Sequence, residues 1–265
     1  MEAIFTLNAP AIASFLLTLL RISLLVFFLP FYGGENIPVT VKGALAVVLA
    51  LALWPHLSFS GAAFPAHPLA IVLLVVGELL IGLMLGLFVH IIFAGIQLGG
   101  QMMSFQMGFS MASVMDPQSG TQIPTVSHLL YMVALVSFLC LDGHLYLLQA
   151  LTSSFAIVPP GGFFTRSLLI TDMLTLSSQM FVLAVKVAGP ILASLFLIEV
   201  ALALMARAAP QMNLLMIGMP IKIAVGFFFM FIVFSLLVRT IEGSIYDLGP
   251  MFRHFLTLSG PGNAG

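Results

Sequence analysis

The sequence predicts an all-α, polytopic, membrane-class protein built of long, broken helical segments. Two observations carry that. Of 265 residues 61% are hydrophobic and only 6% charged, with a mean hydropathy of +1.21, whereas a soluble domain carries about 25% charged residues. The apolar residues also fall in long runs, two of them more than thirty residues, separated by Pro/Gly-rich breaks. The same composition excludes other classes. A net charge of −1 gives no electrostatic case for nucleic acid. The single cysteine, Cys140, excludes an internal disulfide and a Cys-based zinc site. The opening MEAIFTLNAP has an acidic and no basic residue, a poor signal peptide, so the chain is expected to be retained whole. One helical domain over residues 1–250 and a flexible tail over 251–265, which ends in SGPGNAG, are expected.

The first run, Ala11 to Pro30, is long enough to span ~30 Å of hydrocarbon. Arg21 lies near its middle, so it is expected to face protein or water rather than lipid. The second run, Val39 to Leu57, carries Lys42 near its start and Trp54-Pro55-His56 near its end, a pattern that fits interfacial anchoring. The third, Leu69 to Gln101, would make a helix of about 50 Å, beyond one bilayer crossing. Its pairs Gly82/Gly86 and Gly95/Gly99 are GxxxG steps that let helix backbones approach closely. Its only formal charge, Glu78, is either a proton or ion site or a carboxylate paired with a structural partner.

Gln101 to Pro124 (QMMSFQMGFSMASVMDPQSGTQIP) holds five of the sixteen methionines within fourteen residues. Met103, Met107, Met111 and Met115 recur every four residues, and Phe105 and Phe109 keep that step, which on a helix makes one drifting stripe. Asp116-Pro117 is the expected stop. A stripe of flexible, polarizable side chains either packs against neighbouring helices or seals a pathway.

Thr125 to Phe155 is interrupted by Asp142-Gly143, a turn signal that makes it a hairpin or a broken helix. The fifth run, Met173 to Arg207, is again too long for one straight crossing, at roughly 52 Å, and Gly189-Pro190 offers a kink within it. Arg207 and Gln211 share a face if the helix continues past Pro210. The sixth run is Leu214 to Val238. Lys186, Glu199 and Lys222 pair across helices, pair with neighbouring subunits, or serve transport directly. Over-long runs with Pro/Gly breaks are tolerated where they are buried against protein or line a wet cavity, which points to an assembly subunit.

Enzyme chemistry finds no footing. There is no HExxH, no phosphate-binding loop and no second aspartate to complete a dyad with Asp247, and the six histidines lack ligand spacing. Gly108-Phe109-Ser110 lacks the second glycine of a nucleophile elbow. No enzyme, cofactor or metal is expected.

RAAPQMNLLMIGMPIKIAVG (Arg207 to Gly226), GFSMASVMDPQSGTQIP (Gly108 to Pro124) and DGHLYLLQAL (Asp142 to Leu151) together resemble the FliR family of flagellar export-gate proteins, whose injectisome relatives are the SctT family. The resemblance covers essentially the whole chain, and MIGMPIKIAVG is closer to the flagellar branch. It implies tilted helical hairpins packed into a multi-subunit gate with FliP and FliQ, alongside FlhB and FlhA, in the inner membrane at the flagellar basal body. Through that gate unfolded flagellar subunits pass. It further implies that Phe105, Met107, Gly108, Phe109, Met111, Met115, Asp116 and Pro117 belong to a plug or gasket. Arg21, Glu78, Lys186, Glu199, Arg207, Gln211 and Lys222 are the candidates for assembly or buried charge. The competing class is a stand-alone secondary transporter coupled through Glu78, Lys186 or Glu199, which predicts an internal repeat that the two halves do not display.

Overall fold

The computed structural model describes residues 9–30, 37–57, 67–109, 125–159, 167–209, 211 and 214–259. Among these the chain forms seven α-helices, one 3-10 turn and no strand. They are α1 (Ala9–Phe28), α2 (Val39–Leu53) with the 3-10 turn Trp54–His56, α3 (Pro68–Met107), α4 (Thr125–Cys140), α5 (Gly143–Ile157), α6 (Ser167–Ala208) and α7 (Leu214–Ser259). Four are long and apolar enough to cross a membrane, over Ala11–Phe28, Pro68–Met107, Thr171–Ala208 and Met216–Leu258, and the broken pair α4/α5 makes a fifth if counted as one span. The fold is all-α and polytopic, of membrane class.

Such helices must satisfy their own polar groups, since hydrocarbon offers no partner. The backbone does so by i→i−4 bonding, and the hydroxyls follow. Thr18 Oγ1 donates to the Ser14 carbonyl at 2.8 Å, Ser137 Oγ to Val133 at 2.7 Å and Thr240 Oγ1 to Leu236 at 2.8 Å. Serine and threonine therefore sit inside these helices at little cost.

The chain divides into two compact units: Met1–Ile91 with Asp142–Leu176 and Ile245–Gly265, and Ile92–Leu141 with Ser177–Ser244. In the first unit α2 lies on α1. Ala46 and Ala50, one turn apart, are buried, and small side chains at that step allow close approach. Trp54 Nε1 donates to Ser14 Oγ at 2.9 Å, and its ring meets Phe15 edge-on at 6.0 Å. Lys42 is only 7% exposed, so it is not presented outward as an interfacial anchor would be. Phe88 of α3 stacks edge-on with Phe252 of α7 at 4.9 Å.

Both GxxxG steps work as close-approach surfaces. In the first unit a Cβ on Gly82 would stand 2.6 Å from the Arg21 carbonyl oxygen, and one on Gly86 2.5 Å from Phe28 Cβ. In the second unit a Cβ on Gly95 would meet the Met180 carbonyl at 2.9 Å, and one on Gly99 the Ala184 carbonyl at 2.9 Å. Gly100 is closer still to α4, with Ser127 Cα 2.5 Å from where its Cβ would lie.

Two helix limits differ from those expected. α3 stops at Met107 instead of running to Asp116-Pro117. Gly108 adopts φ +91, the Gly108 amide bonds Phe105 O at 3.1 Å, and the Phe109 amide bonds Ser104 O at 3.1 Å. That is a Schellman cap, in which a left-handed glycine closes the last carbonyls. α7 conversely continues past Val238 to Ser259. Arg239, Glu242 and Asp247 end the hydrophobic run only by composition. Ile241, Ile245, Leu248, Phe252 and Phe255 keep helical spacing and are buried, while those charges are exposed. At Asp142 the chain breaks between α4 and α5, and Asp142 itself is left-handed at φ 56. α6 runs through Gly189-Pro190, where Ser194 Oγ donates to the Pro190 carbonyl at 2.7 Å.

Candidate functional site

In the first unit Arg21 of α1 and Glu78 of α3 form a closed pair. Glu78, Gly82 and Gly86 are spaced by four and share one face of α3. The glycines draw α1 in close enough for the side chains to meet. Arg21 Nε donates to Glu78 Oε2 at 2.7 Å and Nη2 to Oε1 at 3.0 Å, with the two side chains 0% and 1% exposed. Two further contacts come from the end of α5: Arg21 Nη1 donates to Ser154 Oγ at 3.1 Å and Nη2 to the Val158 carbonyl at 3.1 Å. The guanidinium carbon lies 4.1 Å from the Phe155 ring centroid. A planar fork satisfied on several sides is the form in which a buried arginine is tolerated. Glu78 is a partnered carboxylate, which removes it as the open coupling group of a transporter.

The second unit holds a different charge site. Lys222 of α7 bonds Glu199 Oε1 of α6, and Gln106 Nε2 of α3 donates to Glu199 Oε2 at 3.1 Å. Glu199 thereby ties the last turn of α3 to α6 and α7. This site is wet at its edge, with Lys222 22% and Glu199 40% exposed. Lys186 does not join it. Lys186 is exposed and, among the described residues, makes no ion pair or hydrogen bond.

Next to that site the methionine stripe divides. Gly95, Gly99, Met103 and Met107 follow one another at steps of four on α3. Met103 and Met107 are both 0% exposed. Met107 fills the notch at Gly226 of α7, where an added Cβ would stand 2.5 Å from Met107 Cε and 2.7 Å from its sulfur. Both are packing residues in this chain taken alone. Phe105, on another face, is 71% exposed. Phe109 is half-buried, edge-on to Phe227 at 6.5 Å. Met111, Met115, Asp116 and Pro117 lie outside the described residues. Ser104 Oγ is buried and without a hydrogen bond among the described residues.

Arg207 is exposed in the last turn of α6, where a cation suits the helix dipole. α6 ends at Ala208, so Gln211, an exposed turn residue, does not share a helical face with Arg207. Sequence reasoning missed Ser154, Phe155, Gln106 and Gly226. Gln106 had a signal, as a lone amide within a Met/Phe run, whereas Ser154 is one hydroxyl among many. Among the described residues no group of His, Cys, Asp or Glu is placed to hold a metal.

Against known proteins, the profile of the family described as Bacterial export proteins, family 1, matches residues 12–248. The chain is 32% identical over 254 residues to the Flagellar biosynthetic protein FliR of Bacillus subtilis (strain 168), covering 93% of this chain and 96% of that protein. It is 31% identical over 208 residues to the protein of the same name from Escherichia coli (strain K12), covering 78% and 79%. It is also 30% identical over 224 residues to the Surface presentation of antigens protein SpaR of Salmonella typhimurium, covering 84% of each. Taken with its long apolar helices, these similarities establish that the chain belongs to family 1 of the bacterial export proteins.

Proposed function

We propose that this chain is a subunit of the flagellar protein export gate, assembling with FliP and FliQ in the bacterial inner membrane at the basal body. There it passes unfolded flagellar subunits and performs no catalysis. The observation that carries this reading is the family match over residues 12–248, together with similarity to FliR-named proteins along nearly the whole chain. FlhB and FlhA are the expected neighbours in the export apparatus. The energy comes from elsewhere, from the proton-motive force and a separate ATPase.

Within that role, the segment that leaves α3 at Gly108 acts as a plug. Three features support it. The helix is firmly capped at Gly108, Met107 and Gln106 tie its last turn to α6 and α7, and the outgoing side chains at Phe105 and Phe109 are apolar and at least partly free. Flexible Met and Phe side chains seal around varied polypeptides without a specific code. Of the stripe residues, Met111 and Met115 take the sealing role, while Met103 and Met107 anchor it.

The test is ion leak across the membrane of cells whose Gly108–Met115 segment is deleted, with motility and secretion followed in the same cells. Raised leak with an intact, co-purifying complex is expected. No leak from a complex that still assembles would overturn the plug. Similarity to SpaR supports a second reading, service in a virulence secretion system. Gene deletion separates the two, since loss of motility with effector secretion intact excludes the second.

A further inference from the structure

We propose that a groove between α5 and α7, wholly within the first unit, is a binding site for a small organic phosphate. The groove holds about 280 Å³, just under the ~300–1,000 Å³ of small-molecule sites. Each helix gives it one face. Tyr146, Gln149 and Ser153 of α5 follow one another at steps of three and four, and so do Tyr246, Gly249 and Arg253 of α7. The two tyrosine rings meet edge-on at 6.4 Å. The floor is apolar, with Leu248, Phe252 and Leu256 buried. Gly249 has no side chain, and a Cβ there would meet nothing within 4 Å, so the α7 wall stands low at its middle.

The chemistry of the ligand follows from the rim. Arg253 is the one formally charged residue lining the groove, and no carboxylate lines it. The Arg253 side chain is exposed and, among the described residues, makes no ion pair or hydrogen bond. The side chains of Tyr146, Gln149, Ser153 and Tyr246 are also exposed and, among the described residues, uncommitted as donors. A guanidinium with no acid beside it repels a cation. A carboxylate accepts at about four lone-pair sites, fewer than the N–H and O–H groups gathered here. A phosphate ester brings more oxygen, takes the guanidinium fork on two of its oxygens, and leaves the rest for the hydroxyls and the amide. Its carbon skeleton suits the apolar floor. Past Val238 the exposed side chains of α7 include Arg239, Glu242, Asp247 and His254, so this part of the helix stands in water or among headgroups and not in hydrocarbon. A soluble phosphate ester and a phospholipid headgroup both reach such a place and bring the same group. The site is independent of the plug and of the choice between flagellar and virulence service.

The experiment uses the full complex purified from native membranes and stripped of lipid. Binding is followed by native mass spectrometry with glycerol phosphate, with a short-chain phosphatidylglycerol, and with a short-chain diacylglycerol that lacks phosphate. Arg253→Gln is expected to weaken binding of a phosphate-bearing probe about tenfold or more, and Arg253→Lys to weaken it less. Ser153→Leu, which fills the groove from the α5 side, is expected to weaken it as well. All of these variants should keep wild-type co-purification and melting temperature, since both positions are exposed. Saturable binding of glycerol phosphate identifies a soluble ester as the source, and binding of phosphatidylglycerol alone identifies a headgroup; either supports the site. Equal uptake of phosphatidylglycerol and diacylglycerol overturns the proposal. So does uptake of neither phosphate probe, or phosphate binding that Arg253→Gln and Ser153→Leu leave unchanged. If Arg253→Gln fails to accumulate, Ser153→Leu decides.

Discussion

Arg21–Glu78 and Glu199–Lys222 join the same kinds of groups across helices, one pair in each unit, yet their surroundings differ in kind. The first is 0% and 1% exposed and ringed by Ser154, Val158 and Phe155. The second is 22% and 40% exposed, with one amide as its neighbour. In the first, every contact replaces hydration that has been lost, so the parts stand or fall together. In the second, water screens the charges and shares the work, so a part can be removed cheaply. The first therefore reads as architecture. The second is a tether that holds the end of α3 without freezing it.

The difference can be broken at its strong end first. Glu78→Ala leaves a buried guanidinium without a counter-charge and is expected to cost about 3–5 kcal/mol. Thermal unfolding of the purified protein would show it, and a shift no larger than that of a surface substitution would refute the description. Gly82→Ala drives a methyl into the Arg21 carbonyl, and relief means separating α1 from α3, at about 1–3 kcal/mol. It should be worse than Gly243→Ala, where a Cβ meets nothing within 4 Å. Ser154→Ala removes the hydroxyl oxygen that accepts from the Arg21 guanidinium, at about 1.5–3 kcal/mol. Glu199→Gln is expected to cost no more than about 1 kcal/mol, and the wild-type advantage should shrink with added salt. Salt-insensitive stability in the wild type would place Glu199 with the first kind of site.

Most of the architecture was legible in the sequence, because composition and run length report directly on solvent. Arg21 had to be inside, and Gly82/Gly86 and Gly95/Gly99 had to be contacts, since neither makes sense against lipid. Two helix limits misled for opposite reasons. The methionine step of four continues past Gly108, but a glycine that can turn left-handed ends the helix whatever the side-chain pattern beyond it. The charges after Val238 imitate a terminus, but periodicity and not hydropathy decides whether a helix goes on. The partners of Arg21 other than Glu78 were out of reach, for they come from Ser154 and Val158, more than 130 positions away. Met107 had the right chemistry for a seal, yet only geometry shows it spent on the Gly226 notch.

The contact glycines of α3 have a genetic consequence. At Gly82, Gly86, Gly95, Gly99 and Gly100 any replacement adds at least a methyl where the next helix already lies within 3 Å. An unbiased mutagenesis screen for lost export should therefore collect alleles at these glycines as densely as at the ion pairs. Those alleles would mark spacing and not chemistry. Their suppressors should map to smaller side chains on the facing helices, such as Phe28 opposite Gly86.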